Sequence, residues 1–316
     1  MDRNLALEAV RITEAAALET ARLMGRGDIA GCERAAAHAM AKAFGSISID
    51  GFIVVGDLSA EGNALAPGEN TGNGSGPLID VGLDPVEGAA ICATGGLNAL
   101  SIIAFAERGG FLRCPDTLME KIVVGPEGAG CIDLDRSARE NLCALADKKG
   151  VYVADLTVAM LDRPRHEALI KEVRQAGARI RLLSDGDVAP AIATAKPDSG
   201  IDMLLGTGGS SQGILTAAAI RCTGGDMQAR LRPRSEDEAR RLRDAGIADT
   251  SRKLTLDEMA SGSVMFAATG VTNGDLVSGV RFHKGGASTN SVVMRSRTHT
   301  LRFIEAIHRF DLMPDY

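Results

Sequence analysis

Apolar residues recur at helical spacing through the first stretch of the chain, where Leu5, Val10, Ile12, Ala16, Leu18 and Leu23 sit among charges. That period predicts an amphipathic helix running to about Met24, broken by Gly25-Arg26-Gly27-Asp28. A second helix, ERAAAHAMAKAF, is expected to start beyond Gly31 and to stop near Gly45, because glycine closes a helix readily. The pattern then changes. The runs GFIVVGD, LIDVGLD, LSIIAFAE, MEKIVVG and YVADLTVAML are short, apolar, rich in Val and Ile, and bounded by Gly, Asp or Pro. Such runs read as strands buried on both faces or nearly so.

From about Lys148 strand and helix alternate: YVADLTVAML extended, HEALIKEVRQAG helical, ARIRLLSDGD extended, VAPAIATA helical, IDMLLGTGG extended, QGILTAAAIRC helical. This alternation predicts an α/β unit with right-handed crossovers, whose ligands gather at the strand ends. The stretch RPRSEDEARRLRDAG reads as a solvated surface helix. The change of style predicts two domains, an α+β domain over 1–147 and an α/β domain over 148–316. A length of 316 residues suits two domains of roughly 100–200 residues each.

Composition narrows the function. The formal net charge of −6 argues against a nucleic-acid footprint or a polybasic membrane surface, and no apolar run is long enough to span a bilayer. A few local Arg residues can still hold a small anion. Cys32, Cys92, Cys114, Cys131, Cys143 and Cys222 show no zinc spacing and follow no secretory leader, so they read as reduced and mostly buried, and the expected location is cytoplasmic. The five histidines are scattered, which gives little support to a His-based triad or zinc site.

The acids carry more. Asp28, Glu33, Asp57, Asp84 and Glu87 each fall at a strand end or beside a helix start. Hard oxygen donors in that number suit Mg²⁺ or Mn²⁺, and turn-forming or helix-capping roles account for the same acids. DPVEG favours a ligand role, since Pro85 stiffens the corner and Gly88 lets the backbone pass close to a ligand. Arg163-Pro164-Arg165-His166 follows a strand and precedes a helix, where two guanidinium groups and helix amides can hold an anion; a plain charged loop has the same composition. Gly206 to Ser211 forms a glycine-rich strand-to-helix turn suited to phosphate or hydroxyl contact, and Asp185-Gly186-Asp187 offers two acids to sugar hydroxyls or to ordinary turn chemistry.

The order of these motifs resembles the class II fructose-1,6-bisphosphatases, within the lithium-sensitive, metal-dependent sugar-phosphatase superfamily. The carriers are RITEAAAL, GRGD, DPVEG, CPDTLMEKIVVGPEGAGCIDLD, LDRPRH, SDGDVA, GTGGSSQGILTAAAIRC and FAATGVTNGDLVSGV, spread over nearly the whole chain. The resemblance implies a layered α/β/α/β/α sandwich, Mg²⁺ or Mn²⁺ dependence, hydrolysis of the 1-phosphate of a sugar bisphosphate such as fructose 1,6-bisphosphate, and a homodimer or homotetramer. It assigns metal binding to Glu33, Asp57, Asp84, Glu87 and Gln212, and catalysis to Asp84, Glu87 and position 89. It assigns contacts with a phosphorylated sugar to Leu118, Arg163, Pro164, Arg165, His166, Asp185, Gly186, Asp187 and Gly208. On this reading the first domain binds metal and the second supplies the sugar-phosphate loops.

The chain departs from the family pattern at working positions. The metal-binding Asp of a KNxAD-like pattern is Glu33 here; GEGExDEAPM reads GDLSAEGNAL, which leaves Asp57 and Ser59 at its acidic positions. DPxEGT has become DPVEGA, so Ala89 stands where a threonine would orient the attacking water, and Leu118 stands for a substrate-contacting Tyr. GGAPEG reads GGSSQG, so Gln212 keeps an oxygen donor and loses a negative charge. A divergent relative that binds a sugar phosphate, or acts on it differently, is the alternative that these changes raise.

Overall fold

In the computed structural model, which describes residues 4–57 and 64–312, the chain opens with helices α1 (Leu5–Ala21) and α2 (Ile29–Phe44). Strands β1 (Asp50–Val55), β2 (Asn70–Thr71) and β3 (Leu78–Glu87), helix α3 (Ala89–Thr94) and strand β4 (Leu100–Glu107) follow. Next come β5 (Leu118–Val124), α4 (Ala138–Lys149), β6 (Thr157–Leu161), α5 (Glu167–Ala176), β7 (Arg179–Leu183), α6 (Val188–Ala193) and β8 (Met203–Gly209). The chain continues through α7 (Ser210–Thr223), β9 (Asp226–Arg232), α8 (Glu236–Asp244), β10 (Leu254–Thr255) and α9 (Leu256–Met259). It ends with β11 (Val264–Gly270), β12 (Arg281–His283), β13 (Gly286–Arg295) and β14 (Thr300–Arg309).

Two compact units result, one made of Met1–Phe111 with Gly262–Tyr316 and the other of Leu112–Ser261. This division differs from the expected boundary at residue 148, for a reason visible in the strand pairing. β5 lies between β8 and β9 and so belongs with the later α/β unit, whereas β11 pairs with β4 and draws the C-terminal strands back to the first unit. The expected 152–161 strand is shorter than its apolar run, because 153–155 form a 3₁₀ turn and Tyr152 is exposed.

In the first unit the described strands form a mixed sheet ordered β12-β13-β11-β4-β3-β1-β2, with β14 on β13. Alternate side chains of this sheet (Ile53, Ile79, Val81, Leu83, Ile103, Phe105, Met265) pack with Ile12, Ala16, Met40 and Phe44 of α1 and α2 into one core. Helix α2 starts four residues before the expected Glu33. Asp28 is its N-cap, accepting the Gly31 N–H at 2.8 Å, and a Cβ on Gly31 would lie 2.2 Å from the Asp28 carboxylate. Gly31 is therefore the residue that admits the cap, and it does not break the helix.

The second unit has the strand order β10-β9-β5-β8-β6-β7. On one face Ile122, Val124, Val158, Met160, Met203 and Leu205 pack with Leu142, Leu145, Ile170 and Val173 of α4 and α5. Strand alternation turns the intervening residues to the other face, where α7 packs on β5 and β8 and α6 packs on α7. The fold is α/β, with two mixed sheets and helical layers covering them, in agreement with the expected sandwich. Strand β7 is the edge of this sheet, and only Leu183 of its five residues is buried. Among the described residues no helix is long and apolar enough to cross a membrane. Cys32, Cys92 and Cys222 are buried, whereas Cys143 is exposed, so the expected burial of the cysteines holds for part of the set.

Candidate active site

In the first unit the acids collect at the C-terminal ends of two parallel strands. β1 and β3 pair in parallel with Val55 opposite Gly82, so Asp57 and Asp84, each two residues further on, emerge at the same end of the sheet. Between Asp84, opposite Ile102, and Glu87, opposite Leu100, the register of β3 against β4 shifts. This bulge accommodates Pro85, which has no N–H to give to a ladder, and it re-aims the two acids that flank it. Asp84 is half-buried and Glu87 is 3% exposed. Gly88 then adopts φ +82, a left-handed conformation that any other residue would hold under strain, and Ala89 opens α3.

The Gly25–Asp28 turn is stitched to the same region. The Gly25 and Gly27 amides donate to Cys92 and Ala93 carbonyls of α3 at 2.9 and 2.8 Å. Half-buried Glu33 lies one turn into α2. Among the described residues no three His, Cys, Asp or Glu side chains form a preformed metal cage. Ser59 lies outside the described residues. The donor set still fits a hard divalent ion, because Mg²⁺ is commonly held by one or two carboxylates together with water and substrate phosphate, without an all-protein cage.

In the second unit the predicted sugar-phosphate residues gather at the C-terminal ends of β6, β7 and β8. These strands run parallel, and antiparallel β5 brings its first residue, Leu118, opposite Gly209. Strand β8 passes directly into α7 through Gly208 and Gly209. Arg165 donates from Nε and Nη2 to the Thr207 carbonyl at 3.1 and 2.7 Å. Arg163 donates from Nη1 to the Ser184 carbonyl at 2.7 Å and approaches Asp185 Oδ1 at 3.5 Å, which ties the Arg163–His166 turn to the end of β7. Burial, then the like charge of Arg163, lower the pKa of Arg165, and Asp187 opposes them. Two cations held this close store repulsion that a bound anion would relieve.

His166 is built into the backbone of this site. It is 2% exposed; the Thr207 N–H donates to its Nε2 at 2.8 Å, so Nδ1 carries the proton and donates to the Leu161 carbonyl at 2.7 Å. Both ring nitrogens are thereby engaged, and burial holds the imidazole below its ordinary value of 6.5. Gly206, at φ +142, leaves room for the ring: a Cβ there would lie 3.1 Å from His166 Cε1.

Gly208 and Gly209 are close approaches of a second kind. A Cβ on Gly208 would lie 2.3 Å from Asp187 Oδ2 and 3.1 Å from Lys121 Nζ, and one on Gly209 would lie 2.3 Å from Gln212 Oε1. Gly186, at φ +68, sets the turn between Asp185 and Asp187, while Pro164 and Arg165 are exposed. The structure thus brings Arg165, His166, Asp187, Gly208 and Gln212 around one strand-to-helix turn, with Arg163 and Asp185 paired beside it.

Sequence reasoning did not single out Lys121, whose Nζ lies 2.7 Å from Asp187 Oδ2 with both side chains buried. The signal was present: MEKIVVG reads as a strand buried on both faces yet holds a lysine, and lysine is almost never fully buried without a partner.

Residues 3–308 match the family model described as bacterial fructose-1,6-bisphosphatase, glpX-encoded. The chain is 40% identical, over 325 aligned positions covering 98% of this chain and 97% of the relative, to fructose-1,6-bisphosphatase 1 class 2 of Escherichia coli (strain K12). The same figures hold for the fructose-1,6-bisphosphatase class 2 of Shigella flexneri.

Proposed function

Because this chain belongs to the bacterial, glpX-type family of class II fructose-1,6-bisphosphatases, we propose that it is a metal-dependent phosphoric monoester hydrolase that removes the 1-phosphate of a sugar bisphosphate, fructose 1,6-bisphosphate or a close relative. The observation that carries the substrate class is the anion-ready turn of the second unit, where Arg163 and Arg165 stand beside the Thr207–Gly209 backbone and an acid, Asp187, suited to hydroxyls. Near-complete coverage of phosphatase relatives favours hydrolysis over a binding-only or different-reaction alternative.

Within the first unit Asp84 and Glu87 would hold the ion, with Glu33 and Asp57 as further oxygen donors, Gln212 is the oxygen donor that the second unit offers, and Mg²⁺ or Mn²⁺ is the choice that all-oxygen donors support. A bound divalent ion neutralises charge developing on the transferred phosphoryl oxygens. The chain's own residues do the rest. Arg163, Pro164 and Arg165 receive the sugar phosphate. Asp185 and Asp187 accept hydrogen bonds from its hydroxyls, and Gly186 and Gly208 let the backbone come close. His166 acts through the Thr207 N–H, and Leu118 gives an apolar contact where the family has a tyrosine. Water attacks phosphorus in line, the bond to the sugar oxygen breaks, and a proton ends on that oxygen. At position 89 the attacking water has no threonine hydroxyl to orient it, so turnover is slower than in relatives that carry one. We place the enzyme in the cytoplasm, in sugar metabolism of the gluconeogenic direction, as a homodimer or homotetramer.

Phosphate release from fructose 1,6-bisphosphate and a panel of sugar mono- and bisphosphates, with Mg²⁺ or Mn²⁺, tests this. Metal-dependent release that is lost in Asp84→Asn is expected. Release no greater than in that variant, across the whole panel, would reject hydrolysis.

A further inference from the structure

We propose that Lys121 is a positioning residue for substrate recognition: it holds the Asp187 carboxylate in the orientation that meets the sugar, and Gly208 keeps the space that this requires. The proposal deepens, and rests on, the reading of the second unit as the sugar-phosphate unit.

Lys121 lies in the middle of β5 at 1% exposure, with its Nζ 2.7 Å from Asp187 Oδ2. Asp187 immediately precedes α6, the usual place for an aspartate to cap a helix, yet its side chain makes no cap hydrogen bond to that helix. Its Oδ2 is directed to the lysine instead. Arg165 and His166, on the turn after β6, also feel the Asp187 charge, and Asp185 stands two residues away on the same turn. Lys121 is in direct contact with the carboxylate.

Stability alone does not account for such a pair. Removing two charges from water costs about what their attraction returns, and well-packed apolar residues of similar size commonly serve as well or better. What the pair supplies is a buried carboxylate held in one orientation, at the turn where hydroxyls of a phosphorylated sugar are to be read. Gly208 belongs to the same device. It has an ordinary backbone conformation, so its lack of a side chain answers to the 2.3 Å approach of a would-be Cβ to Asp187.

Lys121→Met, Asp187→Asn and the double variant distinguish a positioning role from a packing role. Three readouts are taken: the melting temperature, calorimetric binding of fructose 6-phosphate, and KM and kcat for phosphate release from fructose 1,6-bisphosphate. In folded Lys121→Met, fructose 6-phosphate binding should weaken and KM should rise by about tenfold or more, with kcat within about threefold of wild type. The double variant should bind no worse than Asp187→Asn alone, because the lysine acts through the aspartate. Unchanged binding in folded Lys121→Met, or penalties that add in the double variant, would overturn the proposal. Should Lys121→Met not fold, Gly208→Ala carries the test, since it keeps both charges and displaces Asp187; wild-type binding there would overturn it equally. A wild type that binds fructose 6-phosphate without releasing phosphate rejects hydrolysis and leaves this inference to the calorimetry. A wild type that does not bind the sugar phosphate rejects both.

Discussion

Replacing His166 by leucine tests whether the strand-to-helix turn of the second unit is held by an imidazole. The ring bridges two strands, donating from Nδ1 to Leu161 at the end of β6 and accepting at Nε2 from Thr207 in β8. Leucine fills most of the volume and makes neither bond, so the Leu161 carbonyl and the Thr207 N–H both lose their partner. A buried polar group left unsatisfied costs about 1–3 kcal/mol, and two of them about 2–6. Both residues are only half-buried, which lets water recover part of the loss and puts the expectation near the lower end, about 2–3 kcal/mol.

The pH dependence gives a second handle on the same residue. Burial lowers the His166 pKa in the folded state, so as pH falls the unfolded chain takes up this proton first. Its contribution to stability is fully present above 6.5 and is lost as pH falls from 6.5 through the lowered folded value. Protonation also turns Nε2 from an acceptor into a donor facing the Thr207 N–H. Urea unfolding at several pH values between neutral and mildly acidic, followed by circular dichroism, measures both effects. His166→Leu should lower the midpoint at neutral pH, and the gap to wild type should narrow as the pH falls. An unchanged midpoint, or a gap that stays constant with pH, would refute the reasoning.

Ala89→Thr should raise kcat for phosphate release by about tenfold or more, because a positioned hydroxyl at the start of α3 orients the attacking water; an unchanged kcat in the folded variant would remove that role. Gln212→Glu restores a carboxylate and should lower the Mg²⁺ concentration for half-maximal activity by about tenfold, read from a metal titration. Glu238, whose pKa is pulled down to about 2 chiefly by Arg234, supplies stability that is present above 4.5 and lost as pH falls towards about 2. Glu238→Gln should therefore unfold more readily than wild type at neutral pH and lose that difference in acid, as followed by acid titration of the circular dichroism signal.

Local patterning made much of the fold legible. The runs at 78–84, 100–107 and 119–125 are strands because their Val and Ile density suits a sheet interior, and the helices after Asp28 and after Arg165 follow from apolar spacing. What did not follow was membership. MEKIVVG looks the same whichever sheet it joins, and its place between β8 and β9 is decided by partners that lie about a hundred residues away. The long β13–β14 ladder escaped notice because β14 alternates exposed and half-buried residues, with Phe303 and Ile307 outward, and so lacks the apolar density that marked the other strands.

The site divides along the same line. Acids and arginines announce themselves, since each is costly to bury and rarely sits at a strand end by packing alone. Their meaning depends on which groups they meet. Asp28, read as a metal candidate, accepts the Gly31 N–H and caps a helix, whereas Asp187, with the position of a cap, makes no cap bond and pairs with a lysine. Both are aspartates before helices in turns rich in glycine. The discriminating fact is a partner 66 positions away in one case and three in the other, as the numbering of Lys121 and Gly31 makes plain. The lysine could still have been noticed, because a cation within an otherwise apolar strand implies a buried anion. The acids that the topology carries to the C-terminal ends of the parallel strands are the short list from which that anion comes.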